Sequence, residues 1–115
     1  MQTIENLTSE SNQKHTIIIE TGEKLVIELF YCSTQIGWYI NASLNDWSIK
    51  GIRVVNSPNL LRQFNNVISF GIACDVNDLN EPLSIQDFLV GRANLHILNK
   101  EDVNYIEEML NAKIQ

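Results

Sequence analysis

The stretch GWYINASLNDWSIKGIRVV, residues 37–55, decides how the chain is read. With Asn45-Asp46 as a two-residue hairpin tip, Leu44 faces Trp47 and the pairs count outward from there. Trp38, Ile40, Ala42, Leu44, Trp47, Ile49 and Gly51 then share one face. Tyr39, Asn41, Ser43, Ser48, Lys50 and Ile52 share the other. Side chains alternate across a strand, so this segregation is what a half-buried hairpin requires. The two tryptophans read as core residues of adjacent strands, with an exposed ligand-stacking platform as the competing reading.

On either side of this hairpin the pattern stays β. HTIIIE (15–20) and KLVIELFYC (24–32) are β-branched and aromatic runs joined by Thr21-Gly22-Glu23, which predicts a second hairpin. Leu25, Ile27, Leu29 and Tyr31 fall on one face of its second strand. Ser57-Pro58-Asn59 breaks the strand pattern, and PNLLRQF predicts a short helical turn pinned by Leu60, Leu61 and Phe64. NVISFGIAC (66–74) returns to strand, with Ile68, Phe70, Ile72 and Cys74 on one side. In SIQDFL, Ser84 and Asp87 are spaced as a shortened capping box, which predicts another brief helix. RANLHIL (92–98) reads as the last strand.

The ends differ in kind. Residues 1–13 are polar except for Ile4 and Leu7 and read as an extended arm. Residues 99–115 read as a helix capped by Asn99, with Glu101 and Asp102 in the first turn and Lys113 in the last, matching the helix dipole. Val103, Ile106, Leu110 and Ile114 form one apolar stripe, broadened by Tyr105 and Met109. Burying four such side chains supplies roughly 6–12 kcal/mol gross. An isolated helix of this length is marginal in water, so the stripe covers either this protein's own sheet or a partner. The whole is one domain: an arm (1–13), a β domain (14–98) and a C-terminal amphipathic helix (99–115). The expected fold is mainly β, a small antiparallel barrel or sandwich of about six strands with two short helical turns.

Composition narrows the function classes. Acidic residues number 14 against 8 basic ones, for a net charge of −6. A nucleic-acid binder releases counterions with a basic surface, and here the lysines and arginines from Lys14 to Arg92 are spread out, so no nucleic-acid binding is expected. No apolar run reaches the length of a membrane span, and MQTIENLTSESNQK lacks a signal peptide's apolar region, so cytoplasmic synthesis is expected. Cys32 and Cys74 are too few and too isolated for a disulfide framework or a metal knuckle; both read as small buried apolar residues.

Enzyme signatures are not found. His15 and His96 each lie inside a predicted strand, with no serine or cysteine at a spacing that suggests a pair. The acidic loop from Asp75 to Glu81 fails as a calcium loop: position five is Leu79, the glycine is missing and position twelve is Gln86. No catalytic residue, no metal site and no cofactor are expected.

Segment order carries one further signal. An arm ending in Asn12-Gln13 precedes two strands; then come Gly37-Trp38-Tyr39, a hairpin, Gly51-Ile52 with Val54-Val55, and Asn59-Leu60-Leu61 with Phe64. A glycine-containing strand and the closing strand Leu95-His96-Ile97-Leu98 complete the series. Over about residues 4–98 this arrangement resembles the small baseplate plug proteins of bacteriophages with contractile tails, a family typified by a cyanophage baseplate plug. The resemblance implies a non-enzymatic virion protein, made in the host cytoplasm, that helps close the tube lumen and assemble the baseplate. Its implied partners are the baseplate hub, spike and tail-tube proteins and further copies of itself in a ring. Gly37, Trp38, Gly51, Leu60, Leu61 and Phe64 match the family motif and are expected to define the fold. Ile4, Leu7, Val103, Ile106 and Leu110 are the candidate docking residues of arm and helix. The alternative reading is a small soluble β-barrel module that binds a peptide or a sugar.

Overall fold

The computed structural model describes residues 1–78 and 80–114, with side chains described through Asn111. Among the described residues seven strands and one α-helix follow in order: β1 (Gln2–Thr3), β2 (Asn12–Ile18), β3 (Lys24–Cys32), β4 (Gly37–Leu44), β5 (Trp47–Arg53), β6 (Gly71–Val76), β7 (Ala93–Leu98) and α1 (Lys100–Ile114), with a short 3-10 turn at Arg62–Phe64 between β5 and β6. They form two antiparallel sheets, β2-β3-β4-β5 and β1-β7-β6. The inner face of the first presents Leu25, Ile27, Leu29, Trp38, Ile40 and Ala42; the second answers with Ile72, Cys74, Val76, Ala93, Leu95 and Ile97 in one continuous core. The fold is therefore mainly β, a sandwich and not a closed barrel.

The hairpin forms as the sequence requires for its first three pairs. Leu44 pairs with Trp47, Ser43 with Ser48 and Ala42 with Ile49. Asn45 takes the left-handed φ of 54° at the tip. The register then shifts between Ile40 and Ala42, and Ile40 pairs with Ile52. This bulge corrects the expected face assignment: beyond Lys50 the parity inverts, Gly51 turns to solvent and Ile52 packs on the core. The Gly51 N–H donates to Asn41 Oδ1 at 2.8 Å, and φ at Gly51 is 74°, which explains a glycine at this point.

Other expectations shift by physical detail. The strand expected over 66–74 begins only at Gly71, because the Val67 and Ile68 N–H groups both bond back to the Phe64 carbonyl and extend the turn. Its inner face is still Ile68, Phe70, Ile72 and Cys74, all buried. Residues 84–91 form successive turns, not a helix. The reciprocal cap is nonetheless half-built, with the Ser84 N–H donating to Asp87 Oδ2 at 3.0 Å. The arm is not free: Gln2 and Thr3 pair with Ile97 and His96, a seventh strand the sequence reading did not contain. Cys74 is buried as expected, whereas Cys32 is partly exposed.

Helix α1 forms a third layer on the outer face of the smaller sheet, where Val103 and Ile106 pack on Ala73 and Leu98. Its start is a complete capping box: the Asp102 N–H donates to Asn99 Oδ1 at 2.8 Å, and the Asn99 N–H donates to Asp102 Oδ2 at 3.2 Å. The expected contributions of Lys113 and Ile114, and the position of Leu79, lie outside what is described.

Candidate functional site

The six motif residues each have a physical place in this fold. Trp38 is fully buried, held edge-on by Tyr31 and Phe88, and its indole N–H donates to the Ser84 carbonyl at 3.1 Å. Gly37 lies beneath the Arg53 guanidinium: a β-carbon there would stand 2.7 Å from the nearest guanidinium nitrogen. Gly51 makes the bulge. Leu61 is fully buried, and Leu60 and Phe64 pack against the core beside it. Trp47 is half-buried, with its ring held edge-on by Phe64 and Phe70. Trp38 therefore offers no exposed face as a stacking platform, whereas Trp47 stays partly open to solvent.

The candidate docking residues of arm and helix differ in burial. Ile4 is 8% exposed and Val103 5%, and both pack within the protein's own core. Leu7 packs partly on the main core and Ile106 on the layer under α1. Leu110 is half-buried on the same helix. Tyr105 and Met109 of α1 face solvent, and a further set of exposed apolar side chains lies near the 84–91 turns. Leu83 is 44%, Leu89 54% and Val90 67% exposed, all within the turn segment 82–91.

That segment is rigidly pinned, so its exposed residues are held in place. The Tyr31 hydroxyl donates to the Leu83 carbonyl at 2.7 Å, next to the Trp38–Ser84 bond. Arg53 reaches Glu81 at 3.0 Å and also donates to the carbonyl of Ile36. Ile36 itself is 57% exposed and carries φ of 46°, a left-handed conformation that is strained for a β-branched residue. On the other flank Arg92 spans Asp87 at 2.7 Å and Asp78 at 2.8 Å. The guanidinium of Arg92 holds the Asp78 carboxyl below its ordinary range. These pairs lie mostly at the surface; their value is in fixing geometry more than in stability.

A second feature is an open seam. β1 and β2 flank a groove of about 850 Å³ lined by Gln2–Asn6 and Lys14–Ile18. At Gln2 and Ile18 it meets an apolar cleft of about 540 Å³ floored by Ile19, Phe70 and Leu98. Sequence reading could not find the seam, because it depends on which strand edges remain unpaired.

His15 Nε2 lies 2.8 Å from Gln13 Oε1, and burial pushes its pKa down. His96 Nδ1 lies 2.9 Å from Thr3 Oγ1. Burial pushes the Cys74 thiol up to about 12, while a hydrogen bond with the Thr34 hydroxyl lowers that of Cys32. Among the described residues no group of three His, Cys, Asp or Glu side chains is placed to hold a metal ion. No helix among them is long and apolar enough to cross a membrane. Neither a known protein family nor a curated protein sequence matches this chain.

Proposed function

We propose that the protein is a non-enzymatic structural component of a phage tail baseplate, of the plug type, seated where hub, tail tube and spike meet. The observation that carries the reading is the pinned apolar knob of Leu83, Leu89 and Val90. Large apolar side chains left in solvent on a hydrogen-bonded segment suit a surface that meets a protein neighbour. The motif resemblance over residues 4–98 supplies the identity of that neighbour. A net charge of −6 suits a component beside a lumen through which a genome passes, because it repels phosphate. Copies around the tail axis meet head to tail, so knob and receptor are different surfaces and the ring closes by rotation.

The deciding experiment is quantitative mass spectrometry of phage-like particles purified from lysate of the source organism. A few copies per particle, in fixed ratio to hub and spike proteins, are expected. Absence from particles that contain the other tail proteins would overturn the proposal. A second reading, a small module that binds a peptide, is favoured by the open seam between β1 and β2. The burial of Trp38 argues against a sugar stacked on that ring.

A further inference from the structure

The two sheets come close to forming one continuous wall. Where β5 hands over to β6, the chain itself closes the gap. Ser57 and Cys74 exchange both main-chain hydrogen bonds, the Leu60 N–H donates to the Ile72 carbonyl, and Asn56 Oδ1 accepts from the Val76 N–H. On the opposite side β1 and β2 belong to different sheets, with no hydrogen bond between them among the described residues.

Register fixes which groups face that gap. The Ile4 N–H donates to the Leu95 carbonyl, so the alternate residues Thr3 and Glu5 turn their main-chain groups away from β7. The Tyr31 N–H donates to Ser11, and the Ile19 N–H donates to Glu23. The odd-numbered residues of β2 are therefore bonded to β3, and Lys14, Thr16 and Ile18 present their N–H and C=O groups outward. The same groove is thus lined by bare strand edges on both flanks.

We propose that this groove is a binding slot for a lone extended segment of a partner protein, which enters as a strand between β1 and β2 and closes the wall. A slot with donors and acceptors on both sides needs an occupant whose two edges are both free. A folded second copy offers only single edges, since each of its strands is already paired on at least one side. A flexible tail or loop of another protein supplies what the slot lacks. Lys14–Ile18 line one flank and Gln2–Glu5 the other, up to Asn6, whose left-handed φ of 66° ends the extended run, so the bound segment spans about 13 Å at ~3.3 Å per residue. Glu5 and Lys14 stand on opposite flanks, which favours a segment without net charge. The adjoining apolar cleft, which shares Ile18 with the slot, takes one apolar side chain at the end of that segment. Main-chain bonds give the affinity and the cleft gives the selectivity. The slot is independent of the baseplate reading, because any partner with such a tail would serve.

The test uses the full chain and a displayed pool of random heptapeptides as the probe. The strongest peptide is then followed by amide NMR. Expected shifts and slowed exchange fall at Thr3, Glu5, Lys14, Thr16 and Ile18. Thr16→Pro removes only an outward N–H, so the β2–β3 ladder and the buried-tryptophan fluorescence survive while affinity falls about tenfold or more. Ile17→Pro, which breaks the ladder, serves as the unfolding control. No peptide enriched over the T16P background, equal affinity for T16P, or shifts confined to β5 would each overturn the proposal. Concentration-dependent protection of the same amides without peptide would assign the slot to a second copy and overturn the partner assignment.

Discussion

Asn59 fills the space that Gly71 leaves open. A β-carbon at position 71 would stand 2.6 Å from Asn59 Oδ1, and that oxygen accepts the N–H groups of Leu61 and Ile72 at 3.0 and 3.2 Å. The pair locks the turn after Pro58 onto β6. Asn59→Ala is expected to cost about 1–3 kcal/mol for each buried N–H left without an acceptor. Gly71→Ala should destabilise by expelling the amide. Urea denaturation followed by circular dichroism measures both, and an unchanged midpoint for either would refute the lock.

Trp38 is the largest fully buried side chain and bonds the 82–91 segment through Ser84. Trp38→Ala should cost about 3–5 kcal/mol as a core truncation. Because the same residue anchors the apolar knob, the variant should lose partner binding below its own unfolding transition. A small stability change in equilibrium denaturation would remove Trp38 from the core.

The two thiols should separate chemically. Cys74 is buried with its thiol pKa near 12, and Cys32 is partly exposed with its pKa lowered. The thiolate is the reactive form. Native protein at pH 8 should therefore take up one equivalent of iodoacetamide, at Cys32, and a second only after unfolding. Peptide mapping that found equal labelling would contradict the burial of Cys74.

Acid should loosen the surface clamps in a defined order of sign. Arg92 lowers the Asp78 pKa and the N-terminal ammonium lowers that of Asp102, each from an ordinary 3.8; Arg62 lowers Glu107 from 4.5. A depressed folded-state pKa contributes stability above the unfolded value, and that contribution is lost as pH falls through the folded one. Stability from these three groups should thus be constant above about pH 5 and decline below pH 4. Carboxyl titration by NMR checks it: midpoints at or above the ordinary values would dissolve the clamps.

Leu89→Asp combined with Val90→Asp tests the knob. Both residues face solvent, so the fold should change by no more than about 0.5 kcal/mol per site. Association with the tail proteins should fall at least tenfold, read by light scattering and pull-down with purified hub and spike. Undiminished association would move the docking surface elsewhere.

Much of this architecture was legible in local chemistry. Asn45-Asp46 gave the hairpin its register, and Asn99 with Asp102 announced the helix start. The bulge was not legible, because it turns on one unpaired residue whose N–H is taken by a side chain, Asn41, on the facing strand. β1 escaped notice because Gln2 and Thr3 are polar and pair through their main chain alone. Pro58 and the leucines after it announced the turn, but the return of Val67 and Ile68 to the Phe64 carbonyl delayed the strand that follows. The exposure of Leu83, Leu89 and Val90 was not legible either, because it depends on how the 82–91 segment is tied to distant residues such as Tyr31 and Trp38.

The bulge at Gly51 has a consequence for how such molecules crowd together. It lies on β5, the outermost strand of the larger sheet, and distorts the regular spacing that a neighbouring sheet would need. Regular edge-to-edge pairing of two copies along β5 is therefore disfavoured. At high protein concentration that edge stays out of sheet-to-sheet contact between copies.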